Sequence, residues 1–208
     1  MFVITADQVN SRKSADAITS AIGLLTRELG DRLTLPPDRI AGDEVQVLVD
    51  SAGTALDAIL LLSRTGQFTV GCGIGTIREP LATSIRESTG AAFIAARSAV
   101  ERAKRKSTRF ALDVVETDDA ATAARDVEAI IDLLLILRAR RSPQGWELHD
   151  LVANGLTQAA AAGRLGITAQ AASNRARAAD LKPEFAVTGA VVRLLENLHT
   201  RVTGAKES

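Results

Sequence analysis

The sequence predicts an α+β protein: a ferredoxin-like sheet domain over residues 1–116, a long linker helix over 117–141, and an all-α domain over 142–208. Three observations carry this. Apolar spacing changes period in the order β-α-β-β-α-β followed by α-β, which suits a ferredoxin-like sheet with one added unit. A single helical stripe then runs without a breaker from Asp118 to Arg141. Beyond Ser142-Pro143, apolar residues recur only at helical spacing.

In chain order, the apolar run 2–6 ends at Asp7 and reads as a buried strand; Ile18, Ala21, Ile22, Leu25 and Leu29 then follow at helical spacing. Pro36-Pro37 marks a connection, and residues 39–49, RIAGDEVQVLV, form a hairpin whose turn carries Gly42, Asp43 and Glu44. Residues 54–65 are helical, with Gly66 placed to end the helix. In FTVGCGIGTI, Phe68, Val70, Cys72 and Ile74 alternate with Thr69, Gly71, Gly73 and Gly75, so a strand here has one apolar face and one glycine face. Glycine weakens a strand unless a helix, a partner subunit or a ligand comes close to the backbone, and the sequence leaves all three open. A helix over 90–106 precedes a strand over 109–115, and Asp118-Asp119 can cap the long helix carrying Ala124, Val127, Ile130, Ile131, Leu134 and Leu137.

Composition excludes several classes. The 25 basic and 25 acidic residues cancel, so DNA contact requires a local cluster. Cys72 is the only cysteine, which rules out an internal disulfide or a multi-cysteine zinc site. The two histidines, His149 and His199, are far apart in sequence and are expected on helix surfaces. MFVITADQ lacks a basic segment followed by a long apolar run, and AIIDLLLIL is too short to span a bilayer; no membrane partner and a cytoplasmic location are expected.

The carboxy-terminal stretch TQAAAAGRLGITAQAASNRARAA carries the stronger signal. Thr157 caps a short helix with Ala160, Ala161 and Leu165, Gly166 supplies the turn, and Thr168 caps a second helix with Ala172 and Ala176 buried. This spacing resembles the helix-turn-helix of bacterial regulators. The second helix then exposes Ala169, Gln170, Ser173, Asn174 and Arg177, short enough to enter a major groove and bearing groups that read base edges. Gln158, Thr168 and Arg175 complete the expected double-stranded-DNA set, with Arg164 and Lys182 as further backbone contacts. The competing reading is an αα-hairpin that only packs or dimerises.

The amino-terminal constellation is Asp7, the hairpin Gly42-Asp43-Glu44, and Arg97 on GAAFIAARSAVERAK. The first and central strands of such a sheet are neighbours, so Asp7 and Asp43 are candidates to share a divalent cation holding a phosphate. Each also has a plainer reading: Asp7 can cap the turn at Asn10-Ser11, and Arg97 can form a solvated ion pair. The AGDEV turn resembles the GGDEF signature of diguanylate cyclases, and strand-Asp plus hairpin Gly-Asp resembles the metal pair of class III nucleotidyl cyclases. ADQVNSR, AGDEVQVLV, GCGIG, GAAFIAAR and the downstream Trp-led helix-turn-helix together resemble the SatD family, in which a cyclase-like domain is fused to a DNA-binding module.

That resemblance implies a nucleotidyl-cyclase-like sheet domain binding a nucleotide-type ligand, with Mg2+, through Asp7, Arg12, Gly42, Asp43, Glu44 and Arg97. It also implies a homodimer. Ala6 precedes the first Asp where the family commonly has Gly. Catalytic class III cyclases carry Asn and Arg on the helix matching GAAFIAAR; here Phe93 and Ile94 stand near the Asn position and only Arg97 remains. The expected protein is a transcriptional regulator whose site binds without turning over. The alternative is a metal-dependent nucleotidyl cyclase or phosphate-ester enzyme targeted by its helix-turn-helix.

Overall fold

The computed structural model describes residues 1–9, 17–115 and 118–204. It is an α+β chain whose described residues form one five-stranded mixed sheet and eight α-helices. By contact density the chain divides into two compact units: Met1–Asp132 with Val191–Ser208, and Leu133–Ala190. These limits differ from the boundaries drawn on sequence. The helix over Asp118–Ala139 is shared between the units instead of forming a separate linker, and the carboxy-terminal helix returns its last turns to the sheet unit.

In the sheet unit, β1 (Phe2–Gln8), α1 (Ala17–Leu29), β2 (Leu35–Ala41), β3 (Glu44–Val49), α2 (Ala52–Arg64), β4 (Phe68–Ile74), α3 (Ala91–Ala103) and β5 (Phe110–Val114) follow in the expected order. Strand order is β2-β3-β1-β4-β5. The β1–β3, β1–β4 and β2–β3 pairs are antiparallel and the β4–β5 pair parallel, the last needing the α3 crossover. Pro36 and Pro37 do not mark a connection as expected. They lie inside β2, at a register shift between Leu35 and Asp38, where an edge strand tolerates the missing N–H groups.

Alternation puts Phe2, Ile4 and Ala6 of β1, Val45, Val47 and Val49 of β3, and Val70, Cys72 and Ile74 of β4 on one face, all buried. The opposite face presents Val3, Thr5 and Asp7 beside Leu48, Gln46 and Glu44 on one side and beside Gly73, Gly71 and Thr69 on the other. Here α3 answers the glycine question. A Cβ on Gly73 would stand 2.2 Å from the Ala92 carbonyl oxygen and the Ala96 amide nitrogen, and one on Gly71 would stand 2.3 Å from the Val100 nitrogen. The helix meets them with its own small side chains: Ala92, Ala96, Ala99 and Ala103 are all fully buried. Glycine on the strand and alanine on the helix therefore bring the two backbones into contact.

β5 is the other edge of the sheet. The outward amide of Leu112 donates to Glu128 (2.8 Å) and its carbonyl accepts from Arg102 (2.7 Å), while Lys106 bridges Glu128 and Asp132 at 2.5 Å each. Burial opposes ionisation of Glu128, but hydrogen bonds from Arg102, the Leu112 amide and Lys106 more than offset it and lower its pKa.

The second unit holds the end of α4 (Asp118–Ala139), then α5 (Pro143–Ala153), α6 (Gln158–Arg164), α7 (Ala169–Ala178) and the start of α8 (Leu181–Gly204). Its apolar centre joins Leu148, Ala161, Ala179 and Leu181, with Leu151, Val152, Leu156, Leu165 and Ala176 packed around them. Beside it, Glu184 accepts from both Arg138 and Arg141, and each guanidinium also lies over Trp146, at 4.7 and 4.4 Å from the ring centre. His149 is not a surface residue: it is buried, edge-on to Trp146 and stacked on Phe185, with Nε2 3.4 Å from Glu184. His199 stacks on Phe2 and sits 2.5 Å from the Met1 amino group, within the sheet unit.

Candidate functional site

In the helical unit, α6 and α7 are built by local signals. The Thr157 hydroxyl accepts from the Ala160 amide (3.2 Å) and the Thr168 hydroxyl from the Ala171 amide (3.1 Å), satisfying donors that each helix start would leave unpaired. Between them Gly166 has φ +65°, a left-handed conformation in which any larger residue is strained. Ala161, Ala162 and Ala172 are buried, which fixes the roll of both helices; Ala160 is exposed, and Ala176, expected inside, is half-buried.

The roll leaves Gln158, Thr168, Ala169, Gln170, Asn174 and Arg177 exposed, with Ser173 half-buried. Gln170 Nε2 donates to Asn174 Oδ1 at 3.2 Å, so two amides one turn apart hold each other on the outer face of α7. Arg175 differs from its neighbours: it is half-buried and lies 3.7 Å from Glu147 on α5, which holds it towards the unit itself. Arg164 and Lys182 are exposed. Residues 133–190 carry seven basic and four acidic side chains, a local surplus of three that the net charge of zero conceals.

The second constellation lies on the α3 face of the sheet. Asp7 pairs in register with Glu44, and the hairpin closes where the Gln8 amide donates to the Asp43 carbonyl at 2.8 Å. So β1 and β3 do bring Asp7, Asp43 and Glu44 to one end of the sheet, as the spacing predicts, but the side chain opposite Asp7 is Glu44. Gln46 donates to both Glu44 (3.1 Å) and Thr5 (3.3 Å), tying the carboxylate to the sheet. Burial raises the pKa of Glu44; the positive charge of Arg97 works against this, and the negative charge of Asp7 with it. Gly42 is in the exposed turn, and its carbonyl accepts from Arg39 at 2.9 Å.

A residue the sequence reading missed completes the cluster. Lys104 Nζ lies 2.7 Å from Asp7 and 2.8 Å from Glu101, and these two hydrogen bonds, that to Asp7 first, raise its pKa. The signal was present, since Lys104 follows Arg97 by seven residues and so shares its face of α3. Reading it required knowing that this face looks towards Asp7. Arg97 is exposed, Ile94 is 64% exposed one turn before it, and Phe93 packs into the cluster around Val3 and Leu48. Arg12 lies outside the described residues, as do the turn at Asn10-Ser11 and the Asp118 side chain.

Among the described residues, no group of three or more His, Cys, Asp or Glu side chains is placed to hold a metal ion, and no helix is long and apolar enough to cross a membrane. Comparison with family models, curated proteins and solved structures finds no match to this chain.

Proposed function

We propose that the chain is a cytoplasmic transcriptional regulator that binds double-stranded DNA through α6 and α7, and that its sheet unit senses a nucleotide-type ligand. The reading rests above all on the outer face of α7. An amide pair, Gln170 and Asn174, and the guanidinium of Arg177 recur at steps of four and three on a helix bare of large apolar side chains, which follows the turn capped by Thr168. Amides pair with adenine and guanidinium with guanine in the major groove, and exposed Arg164 and Lys182 are suited to phosphates. The competing reading, an αα-hairpin that only packs or dimerises, predicts instead that no DNA sequence is selected.

The ligand half of the proposal treats the sheet unit as ferredoxin-like and nucleotidyl-cyclase-like, in keeping with the resemblance to the SatD family. Arg97 and Lys104 supply the positive charge for a phosphate next to Asp7 and Glu44. Two carboxylates fall short of a cation site, and Asp7 is already engaged by Lys104, so Mg2+ enters only as the companion of a phosphate at Asp7 and Asp43. No chemical step is assigned to it. Phe93 and Ile94 offer no polar group beside Arg97, which favours binding over turnover.

The test is selection from a random duplex pool followed by anisotropy at fixed salt. A specific site should emerge, and Gln170→Ala or Arg177→Ala should each weaken it by about 1–3 kcal/mol without unfolding the chain. Failure to enrich any sequence refutes the DNA reading. For the ligand, nucleotides are screened by thermal shift with and without Mg2+; one present at a hundred times its Kd stabilises by about 2.7 kcal/mol, and Lys104→Ala should abolish the shift.

A further inference from the structure

Helical spacing aligns Asp126, Ala129, Leu133, Ile136 and Arg140 along one stripe of α4 and the turn that closes it, and all five are exposed. Leu133 is 67% and Ile136 40% exposed, two of the few large apolar side chains left to water among the described residues. They are not the packing side of the helix, since Ala124, Val127, Ile131, Leu134 and Leu135 are already buried on the other side. The stripe lies on one continuous helix, so helix geometry alone fixes its order.

Its charges define the partner. Asp126 and Arg140 are 14 residues apart, about 21 Å along a helix, with Leu133 midway between them. Two copies of this stripe laid antiparallel about Leu133 and Ile136 place each Arg140 within a turn of the partner's Asp126, twice over by symmetry, around a centre of four apolar side chains. A parallel pair would instead set like charges against each other at both ends. The geometry points to this stripe as an isologous surface that binds a second copy of the same chain, antiparallel along α4. The inference is independent of the DNA reading.

Sedimentation of the full chain across micromolar concentrations tests it. The parent should dimerise reversibly. Leu133→Glu should raise the dimer Kd at least tenfold, as should Ile136→Glu, both at exposed positions whose replacement leaves the helix intact. Asp126→Arg and Arg140→Asp should each raise it roughly tenfold, by placing two like-charge contacts per dimer. The double variant Asp126→Arg/Arg140→Asp rebuilds the complementarity and should return to within about threefold of the parent. A monomeric parent, a dimer indifferent to Leu133→Glu and Ile136→Glu, or a double variant no tighter than the singles would each overturn the proposal.

Discussion

Gly73→Ala adds one methyl group at the point where α3 lies on β4. Its carbon would stand 2.2 Å from the Ala92 oxygen and the Ala96 nitrogen and 2.8 Å from the Ala96 α-carbon, all of them backbone. No rotamer change relieves this, so the helix must lift by more than an ångström, and the facing alanines lose contact along with it. A gap of 0.5–1 Å forfeits about a quarter to a half of each dispersion well, and overpacking of this kind costs about 1–3 kcal/mol. The upper end applies here because the obstruction is main chain. In a domain of this size about 3 kcal/mol lowers Tm by roughly 6–12 °C. Gly23→Ala is the matched control: the same methyl is added inside α1, where nothing lies within 4 Å, and it should stabilise by about 0.5–1 kcal/mol. Urea unfolding of both variants against the parent gives the two free energies. A Gly73→Ala variant within 0.5 kcal/mol of the parent would refute the close-approach argument.

Three further outcomes follow from particular side chains. Burial opposes the charge on Glu184, but hydrogen bonds from His149 and Arg141 and the charges of Arg138 and Arg141 lower its pKa to about 2. Its contribution is therefore present above the ordinary carboxylate range near 4.5 and fades as pH falls towards 2, and Glu184→Gln, which leaves two buried guanidinium groups short of a counter-charge, should cost about 3–5 kcal/mol at pH 7 and flatten the acid limb of a stability titration. Burial pushes the Cys72 thiol up to about 12, so an aromatic disulfide reagent should label it only at the rate of unfolding; prompt labelling of the native chain would contradict its burial. Arg97→Ala removes the positive charge that opposes burial at Glu44 and should raise its pKa further, read by carboxyl chemical shift against pH.

Periodicity and capping made most of this molecule legible in its sequence. The alternation in FTVGCGIG, the stripe of α1 and the threonines at 157 and 168 are local signals, and each appears where the spacing places it. What escaped reading depends on contacts between distant segments. Lys104 acquires meaning only once α3 has settled on Gly71 and Gly73, because that contact turns its side chain towards Asp7. His149 looks like any polar residue on α5 until Glu184, 35 positions later, gives it a buried partner. The basic surplus of residues 133–190 is masked by an equal deficit elsewhere in the chain and emerges only when the compact units are known. Pro36 and Pro37 misled for a related reason: proline forbids an interior strand but not an edge, and local sequence does not say which strand is the edge.

Those two prolines and the clamp on Leu112 have a joint consequence for how copies of this protein can meet in a crowded cell. An open sheet edge is a template on which another chain's strand can polymerise, the usual beginning of runaway aggregation. Here one border lacks the donors of Pro36 and Pro37 and is broken in register, while at the opposite border Glu128 and Arg102 occupy the amide and carbonyl of Leu112 that an incoming strand would need. Both borders resist extension by the side chains and ring nitrogens already in place. Loss of either Glu128 or the proline pair should therefore expose an edge on which fibrils can grow.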